Sequence, residues 1–279
     1  MSGLPKQHHI PAALIGGFGE PARSGAPRDA RVAVLHKRSG KIFTEKAENV
    51  GWQRGIYSLH SLPAPQRDVI DSLWTSYEPF LPKAVAALAE RRTSEEDLDA
   101  LRLHVACAAV RIPGFPDLLK NWHQEQGSEI TDDQARALRF EWTDRGRQMD
   151  EWFWRALHSP SDVNAPFVLS DTGYAKFPES PDSDRALVFL PLAPNVGLLG
   201  SKTRSNFRPG LANLDHRDTT ITSTSFLNDL GVLDPQSTQL FTHPKRVHRL
   251  AQIAADPPIL GERVLQGGPY RGTTEWWFG

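Results

Sequence analysis

Five polar residues have the types and local settings from which an active site is commonly built. His8 precedes an apolar segment near the N-terminus, Glu78 stands just before a proline in an apolar helical pattern, and Asp171 ends a β-favouring run. Side chains of these types act as general acids and bases, most readily where burial shifts their pKa. We predict His8, Glu78 and Asp171 as candidate catalytic residues.

Arg111 and His104 supply the candidate substrate-binding groups. Arg111 ends a helical pattern that is apolar on every side over residues 105–110, so its guanidinium is expected to be buried. A buried guanidinium keeps its proton and therefore needs a carboxylate or a bound anion as partner. His104 lies seven residues earlier, on the same face of the helix. A clamp for a substrate phosphate or carboxylate and a structural ion pair with Glu78 or Asp171 both account for this pattern.

Each candidate also has a purely structural interpretation. Asp171 stands in Ser-Asp-Thr-Gly, which is good turn material, so an Asx turn or a helix cap is as well supported as a site. Glu78 on a surface helix would be an ordinary solvated carboxylate, and buried histidines are more often structural than catalytic. The basic segment 202–217 fits a solvated loop as well as a lid that faces a phosphate.

The elements that would carry these residues form an α+β pattern. Apolar, β-favouring runs at 167–171 and 186–192 predict two neighbouring core strands, which deliver Asp171 to the edge of a sheet. Further strands are predicted at 31–37, 41–44, 194–199 and 238–242, and helices at 66–91 (one kinked or two), 95–110, 115–126, 131–158, 219–233 and 246–254.

We therefore expect one α+β domain over residues 1–279, in which a helical middle (about 66–158) packs on a small mixed or antiparallel sheet. Residues 267–279 end in Glu-Trp-Trp-Phe-Gly and are expected to form an aromatic tail.

Charge and composition exclude several classes of protein. The 279 residues include 32 lysines and arginines against 33 aspartates and glutamates, which gives a net charge of -1. A strongly basic surface for nucleic acid or an acidic membrane is therefore not expected. No apolar stretch is long enough to span a membrane, no secretory signal opens the chain, and the lone Cys107 forms no internal disulfide. We expect a cytoplasmic protein without a membrane partner.

The usual signatures of cofactor and metal enzymes are missing from the sequence. It contains no P-loop, no dinucleotide-binding fingerprint, no H-E-x-x-H, no G-x-S-x-G and no paired C-x-x-C. His8 and His9 make a weak metal pair, because adjacent residues of an extended chain point to opposite sides. We predict no metal ligands and no cofactor.

In their order and spacing, these segments resemble a bacterial family of unknown function, DUF4238, over about residues 7–250. The resemblance is carried by His8-His9-Ile10-Pro11 leading to Phe18, Asn49-Val50 with Tyr57, Leu73–Glu78, Arg111-Ile112-Pro113, Phe167–Asp171 and Phe189-Leu190-Pro191-Leu192. It adds a late asparagine, Asn228, as a further candidate substrate-binding residue. Two positions depart from the family pattern: His9 replaces the usual aromatic residue, and Thr172-Gly173 follows Asp171 where Asn-Pro is common.

Together these residues favour an enzyme that carries out metal-independent hydrolysis or group transfer on a phosphorylated substrate, such as a nucleotide or RNA. Arg111 would bind the anion, Glu78 or Asp171 would serve as general acid or base, and His8 would move a proton or stabilise an oxyanion. Two alternatives stay open. One is a non-catalytic binding or regulatory module of a defence or toxin-like system, and the other is a small-molecule biosynthetic enzyme with its pocket in the tryptophan-rich middle.

Overall fold

Helices account for much of the middle of the chain. The computed structural model describes residues 4–63, 66–146, 151–160, 166–178, 186–201, 210–234 and 236–255. Within them lie the helices α1 (Ala12–Gly17), α2 (Ser72–Thr75), α3 (Leu81–Ala89), α4 (Glu95–Arg111), α5 (Phe115–Glu125), α6 (Asp132–Ala137), α7 (Arg139–Gly146), α8 (Ile221–Leu233) and α9 (Val247–Ala255). Among the described residues, no helix is both long and apolar enough to cross a membrane.

The strands form three separate sheets. They are β1 (Lys6–His8), β2 (Arg31–His36), β3 (Lys41–Lys46), β4 (Trp52–Arg54), β5 (Phe153–His158), β6 (Leu169–Ser170), β7 (Ala175–Pro178), β8 (Ala186–Ala193), β9 (Val196–Ser201), β10 (Asp215–Asp218) and β11 (Gln239–Thr242). A five-stranded mixed sheet has the order β10-β5-β9-β8-β7, a four-stranded antiparallel sheet has the order β3-β2-β11-β6, and β1 pairs with β4. The predicted α+β class is confirmed.

Helix α4 is the central element of the helical middle, and it begins and ends where the sequence predicts. Ser94 and Asp97 form a capping box, in which the Asp97 carboxylate accepts from the Ser94 N–H at 2.9 Å and the Ser94 hydroxyl from the Asp97 N–H at 3.3 Å. These bonds satisfy amide groups that a helix leaves unpaired in its first turn. Its second half is buried against α3 and α7, so Arg111 is carried into the core.

The prediction of one helix over residues 131–158 is wrong in its second half. The helical part ends with α7 at Gly146, and Phe153–His158 forms β5 between β10 and β9. The side chains of Trp154 and Ala156 are buried, while those of Phe153 and Arg155 are partly exposed. This alternation has the period of two that is typical of a strand. Pairing on both sides of β5 then outweighs the helical preference of its single residues.

The prediction that 167–171 and 186–192 are neighbouring strands is also wrong. Strand β6 has two residues and pairs with β11, whereas β8 lies between β7 and β9 in the other sheet. The two apolar runs meet face to face, with the rings of Phe167 and Phe189 4.9 Å apart. Both runs are apolar because they line a core between sheets, and apolar character alone does not distinguish edge pairing from face packing.

The other predicted elements are confirmed with small shifts of their ends. The apolar pattern at 66–91 breaks around Pro79 into a 3-10 turn, α2 and α3, because a proline removes a helical hydrogen bond and crowds the preceding turn. Of the basic segment 202–217, expected as a loop, residues 202–209 lie outside the described residues, as does the tail 267–279, whereas its end is part of strand β10.

Helix α1 follows β1 and lies directly against the 3-10 turn Pro27–Asp29. A Cβ atom on Gly16 would overlap the backbone carbonyl of Pro27, whereas a Cβ atom on Gly17 would have no heavy atom within 4 Å. The close approach of two backbone segments therefore requires glycine at position 16 and not at position 17. This contact supports the segment that carries His8.

We expect Gly16→Ala to lower the free energy of unfolding by about 1–3 kcal/mol, because the methyl group must push two backbone segments apart. Gly17→Ala is the matched control in the same helix and should be neutral or slightly stabilising, since alanine restricts the unfolded chain. Urea denaturation of both variants measures the difference. Equal stabilities would show that α1 and the 3-10 turn are not packed as described.

Candidate functional site

Arg111 joins two of the predicted catalytic positions at the end of α4. Its side chain is 2 % exposed. Its Nη1 donates to the Glu78 carboxylate at 2.5 Å and to the Tyr77 hydroxyl at 2.9 Å, and its Nη2 donates to the His8 carbonyl at 2.6 Å. Glu78 and His8 are 33 and 103 residues away from Arg111 in sequence. The buried guanidinium therefore has Glu78 as its carboxylate partner.

Aromatic side chains enclose this guanidinium. Its central carbon lies 4.8 Å from the centre of the Trp74 ring, which is a cation–π geometry. The Tyr57 hydroxyl is 3.0 Å from the carbonyl oxygen of His8 and 3.1 Å from that of Arg111. Burial raises the pKa of Tyr57 and of Tyr77, so both hydroxyls stay protonated at neutral pH. We call Tyr57, Tyr77, Glu78, Arg111 and the His8 carbonyl the Arg111 network.

Glu78 connects this buried network to the surface. It lies in the turn between α2 and α3, directly before Pro79, and its side chain is 31 % exposed. One oxygen accepts from Arg111, so the ion pair orients the carboxylate. The exposed fraction leaves part of the Glu78 side chain accessible to a reactant.

Asp71 is a second carboxyl group close to this site that the sequence interpretation missed. Burial raises the pKa of Asp71; the nearby charge of Glu78 adds to this effect, and the charge of Arg111 opposes it. A raised pKa lets a carboxyl group keep its proton to higher pH. The sequence does contain a signal for Asp71. It stands seven residues before Glu78 in one apolar helical pattern, and this spacing returns to the same helix face.

The imidazole of His8 is neutral and fixed at one nitrogen. Its Nε2 is 3.2 Å from the backbone carbonyl of Glu48. A carbonyl oxygen only accepts, so Nε2 carries the proton and Nδ1 keeps a free lone pair. Burial lowers the pKa of His8 to about 4, although the hydrogen bond to Glu48 opposes this shift. His8 is therefore placed to accept a proton or a hydrogen bond through Nδ1.

His9 and His104 are buried near the network without hydrogen bonds. Neither ring nitrogen of either residue has a partner among the described residues. Burial lowers the pKa of His9 to about 4, with Asp171 opposing and Arg111 adding to the shift. Burial and the Arg111 charge lower the pKa of His104 to about 3. The rings of His104 and Tyr77 are 6.0 Å apart, so His104 packs behind the network.

Asp171 and Asn228 bind the chain to itself, away from Glu78. The Asp171 carboxylate accepts from the backbone N–H of Thr238 at 2.8 Å and from its hydroxyl at 2.5 Å. Asn228, in α8, accepts from the Val168 N–H at 2.8 Å and donates to the Pro166 carbonyl at 2.8 Å. These bonds hold the segment around β6 against β11 and α8. The charges of both Asp171 and Arg111 affect the pKa of His9, so His9 connects the two regions electrostatically.

Arg139 is a further buried cation that no sequence pattern indicated. Its Nε donates to the Val110 carbonyl at 2.7 Å, and its guanidinium lies 5.1 Å from each of the ring centres of Tyr57 and Phe115. Burial lowers the pKa of Arg139 to about 10. The last carbonyls of a helix lack partners and carry partial negative charge, which a cation stabilises. Arg139 therefore fixes the end of α4 from which Arg111 extends.

The tryptophans of the middle segment pack in the core, and a separate open cleft lies near β3. Trp142, Trp152 and Trp154 are buried. The cleft has a volume of about 630 Å³ and is lined by residues 20–23, by Asp29 and Arg31, and by residues 44–46 and 48–49. In the described ranges, no three His, Cys, Asp or Glu side chains lie together as a metal site.

We expect stability to fall as the pH drops from about 6.5 to about 4, because unfolded histidines bind protons there while His8, His9 and His104 do not. Each of them contributes a slope of about 1.4 kcal/mol per pH unit in that window. Above pH 6.5 this dependence disappears, because both states are unprotonated.

Urea denaturation between pH 7 and pH 5 measures this slope. His104→Leu should reduce the slope of stability against pH by the contribution of one histidine. His248→Gln, at an exposed position of α9, serves as control and should leave the slope close to that of the unchanged protein. An unchanged slope in His104→Leu would contradict a buried, neutral His104.

Comparison with known proteins identifies the family and no reaction. No curated protein and no solved structure is significantly similar to this chain. The model of one family, described as a protein of unknown function (DUF4238), matches residues 6–230. The match includes β1, the Arg111 network, Asp171 and Asn228. The chain therefore belongs to the DUF4238 family.

Proposed function

We propose that this protein is an enzyme that hydrolyses, or transfers a group from, a phosphorylated substrate such as a nucleotide or RNA. The observation that carries the proposal is that Arg111 binds both the Glu78 carboxylate and the backbone carbonyl of His8, which brings these two segments together. A salt bridge that only locked a helix in place would not require the carboxylate to remain 31 % exposed. The network instead holds a reactive group in a fixed orientation at the surface, as acid–base catalysis requires.

Two carboxyl groups in different settings divide the proton transfers. Glu78 accepts the proton of the attacking water or hydroxyl while the new bond to phosphorus forms. Asp71, whose pKa burial raises, donates its proton to the leaving oxygen as the bond between phosphorus and that oxygen breaks. A buried carboxyl group whose pKa is raised commonly acts as the acid beside a second carboxylate that acts as base or nucleophile. His8 contributes the Nδ1 lone pair, which can orient the nucleophile.

Arg111 acts mainly as a positioning residue in this mechanism. Both of its terminal nitrogens already donate to protein groups. Its Nε is buried without a partner among the described residues, so the guanidinium has more N–H donors than the protein acceptors around it. A phosphate oxygen is an acceptor that could complete this set.

A non-catalytic binding module, for instance of a defence or toxin-like system, is the second candidate. Asp171 and Asn228 make hydrogen bonds to neighbouring parts of the chain, which leaves fewer of the six predicted residues for catalysis. A binding module would retain the ligand without turnover.

Glu78→Gln should lower kcat by about 10²–10⁴-fold, the usual contribution of a positioned general base. Glutamine keeps the shape and an oxygen acceptor for Arg111, so the fold should persist. Glu96→Gln, on the exposed side of α4, is the matched control and should retain full activity.

The assay follows product formation by chromatography over nucleoside mono-, di- and triphosphates, single-stranded RNA and sugar phosphates. Turnover that Glu78→Gln abolishes supports the proposal. Turnover that survives Glu78→Gln contradicts the assigned base, and ligand binding without any turnover favours the binding module.

A further inference from the structure

The β1–β4 ribbon displays a basic and aromatic face that the proposed mechanism does not use. In its register, Lys6 pairs with Arg54 and His8 pairs with Trp52. Directly opposed residues of an antiparallel pair point to the same side of the sheet, and alternate residues of one strand do so as well. All four side chains therefore share one face. Gln7 points to the opposite face, where it is buried and its Oε1 accepts from the Tyr57 N–H at 2.8 Å.

Lys6 and Arg54 form no salt bridge within the described part of the chain, although the charges of Glu48 and Glu45 act on Lys6 from a greater distance. The Lys6 ammonium donates to the Glu48 carbonyl at 2.5 Å and to the Asn49 side-chain oxygen at 3.2 Å. Arg54 donates to the Leu4 carbonyl at 3.0 Å. The Glu48 carboxylate instead pairs with Arg28 at 3.5 Å and with Lys46 at 3.7 Å. Lys6 and Arg54 thus present exposed positive charge that neutral acceptors hold in place.

Trp52 is held between strand and loop as a fixed ring on this face. Its Nε1 donates to the Asn49 carbonyl at 2.8 Å, and its side chain is partly exposed. Lys6 Nζ and the Arg54 guanidinium carbon lie 4.6 Å and 5.8 Å from its ring centre. Because Lys6 and Arg54 oppose each other, both lie toward the same end of the ribbon relative to Trp52. A fixed aromatic ring and two cations that lie over it are groups of the kind that bind a nucleobase and its phosphate.

His8 connects this face to the Arg111 network. The His8 imidazole and the Lys6 ammonium lie against the same Glu48 carbonyl, while the His8 backbone carbonyl is held by Arg111. Glu48 and Asn49 also line the 630 Å³ cleft, whose volume is in the range of small-molecule sites. A ligand on the ribbon would therefore lie beside His8, and Glu48 and Asn49 join this face to the cleft.

We infer that the outer face of the β1–β4 ribbon binds a nucleotide, with the base against Trp52 and the phosphate between Lys6 and Arg54. The inference rests on the proposed function, because it names the phosphorylated substrate of that site as a nucleotide, free or at the end of a single strand. It also gives His8 a ligand to act on. The net charge of -1 does not oppose this, since binding depends on local charge.

Binding is measured with a fluorescein-labelled, adenine-rich RNA octamer, competed by AMP and by adenosine. Lys6→Gln combined with Arg54→Gln should weaken RNA binding at least tenfold and reduce the slope of log affinity against log salt by about 1.4, since each single-strand phosphate contact contributes about 0.7. Trp52→Leu should weaken binding about tenfold with little change of that slope. Lys41→Gln removes another exposed lysine, 5.7 Å from the Phe43 ring, and should bind as the unchanged protein does.

Competition by AMP and by adenosine shows whether the site binds a free nucleotide or the end of a strand. Competition by AMP and not by adenosine indicates a mononucleotide site, whereas competition by the unlabelled octamer alone indicates a site for a strand end. Absence of binding by the unchanged protein, or equal binding by the folded ribbon variants, would overturn the inference. The variants alter one exposed face, and circular dichroism verifies that each is folded.

Glu78→Gln separates this inference from the proposed function. It should bind the octamer normally, because Glu78 is not on the ribbon. If the ribbon variants bind normally while Glu78→Gln loses turnover, the ribbon inference fails and the enzyme proposal stands. If the ribbon variants lose binding while turnover is insensitive to Glu78→Gln, the ribbon inference stands and the assigned catalytic base is wrong.

Discussion

The ion pair between Arg111 and Glu78 places a permanent positive charge in a region from which water is excluded. Such a charge is costly to bury unless its donors are matched, and removing one partner of a buried pair typically costs about 3–5 kcal/mol. Three of its N–H groups are matched here by a tyrosine hydroxyl and a carboxylate from the turn after α2 and by a backbone carbonyl from β1. The position of β1, of the turn after α2 and of the end of α4 therefore depends on this one guanidinium.

Around this charge the core contains an unusual concentration of polar groups. Nitrogen atoms without hydrogen-bond partners among the described residues occur in six side chains close to Arg111 or its contacts: Gln7, His9, Trp74, His104, Arg111 and Arg139. Each buried, unpaired polar group costs about 1–3 kcal/mol. The apolar cores on either side of the sheets provide the compensating burial.

The overall charge of the protein is balanced, but the β1–β4 ribbon has a locally positive face. Lysines and arginines nearly balance aspartates and glutamates, and ion pairs such as Arg28–Glu48 neutralise much of the surface near β3. The register of β1 and β4 nevertheless gathers Lys6 and Arg54 on one face, beside Trp52. Their backbone-directed hydrogen bonds orient the two charges without cancelling them.

The sequence by itself determined the elements whose signals are local. It also showed that a buried Arg111 requires a partner from elsewhere in the chain. The capping box at Ser94 and the apolar run before Arg111 placed α4, the β2–β3 hairpin followed from its turn, and an arginine that ends a buried helix required a partner. Tertiary structure decided which partner it has, Glu78 and not Asp171, and brought Asp71 and Arg139 to the same region. It also made a strand of Phe153–His158 and put two similar apolar runs into different sheets. Such choices depend on contacts between distant segments, and neither residue type nor periodicity encodes which of several compatible partners is met in the fold.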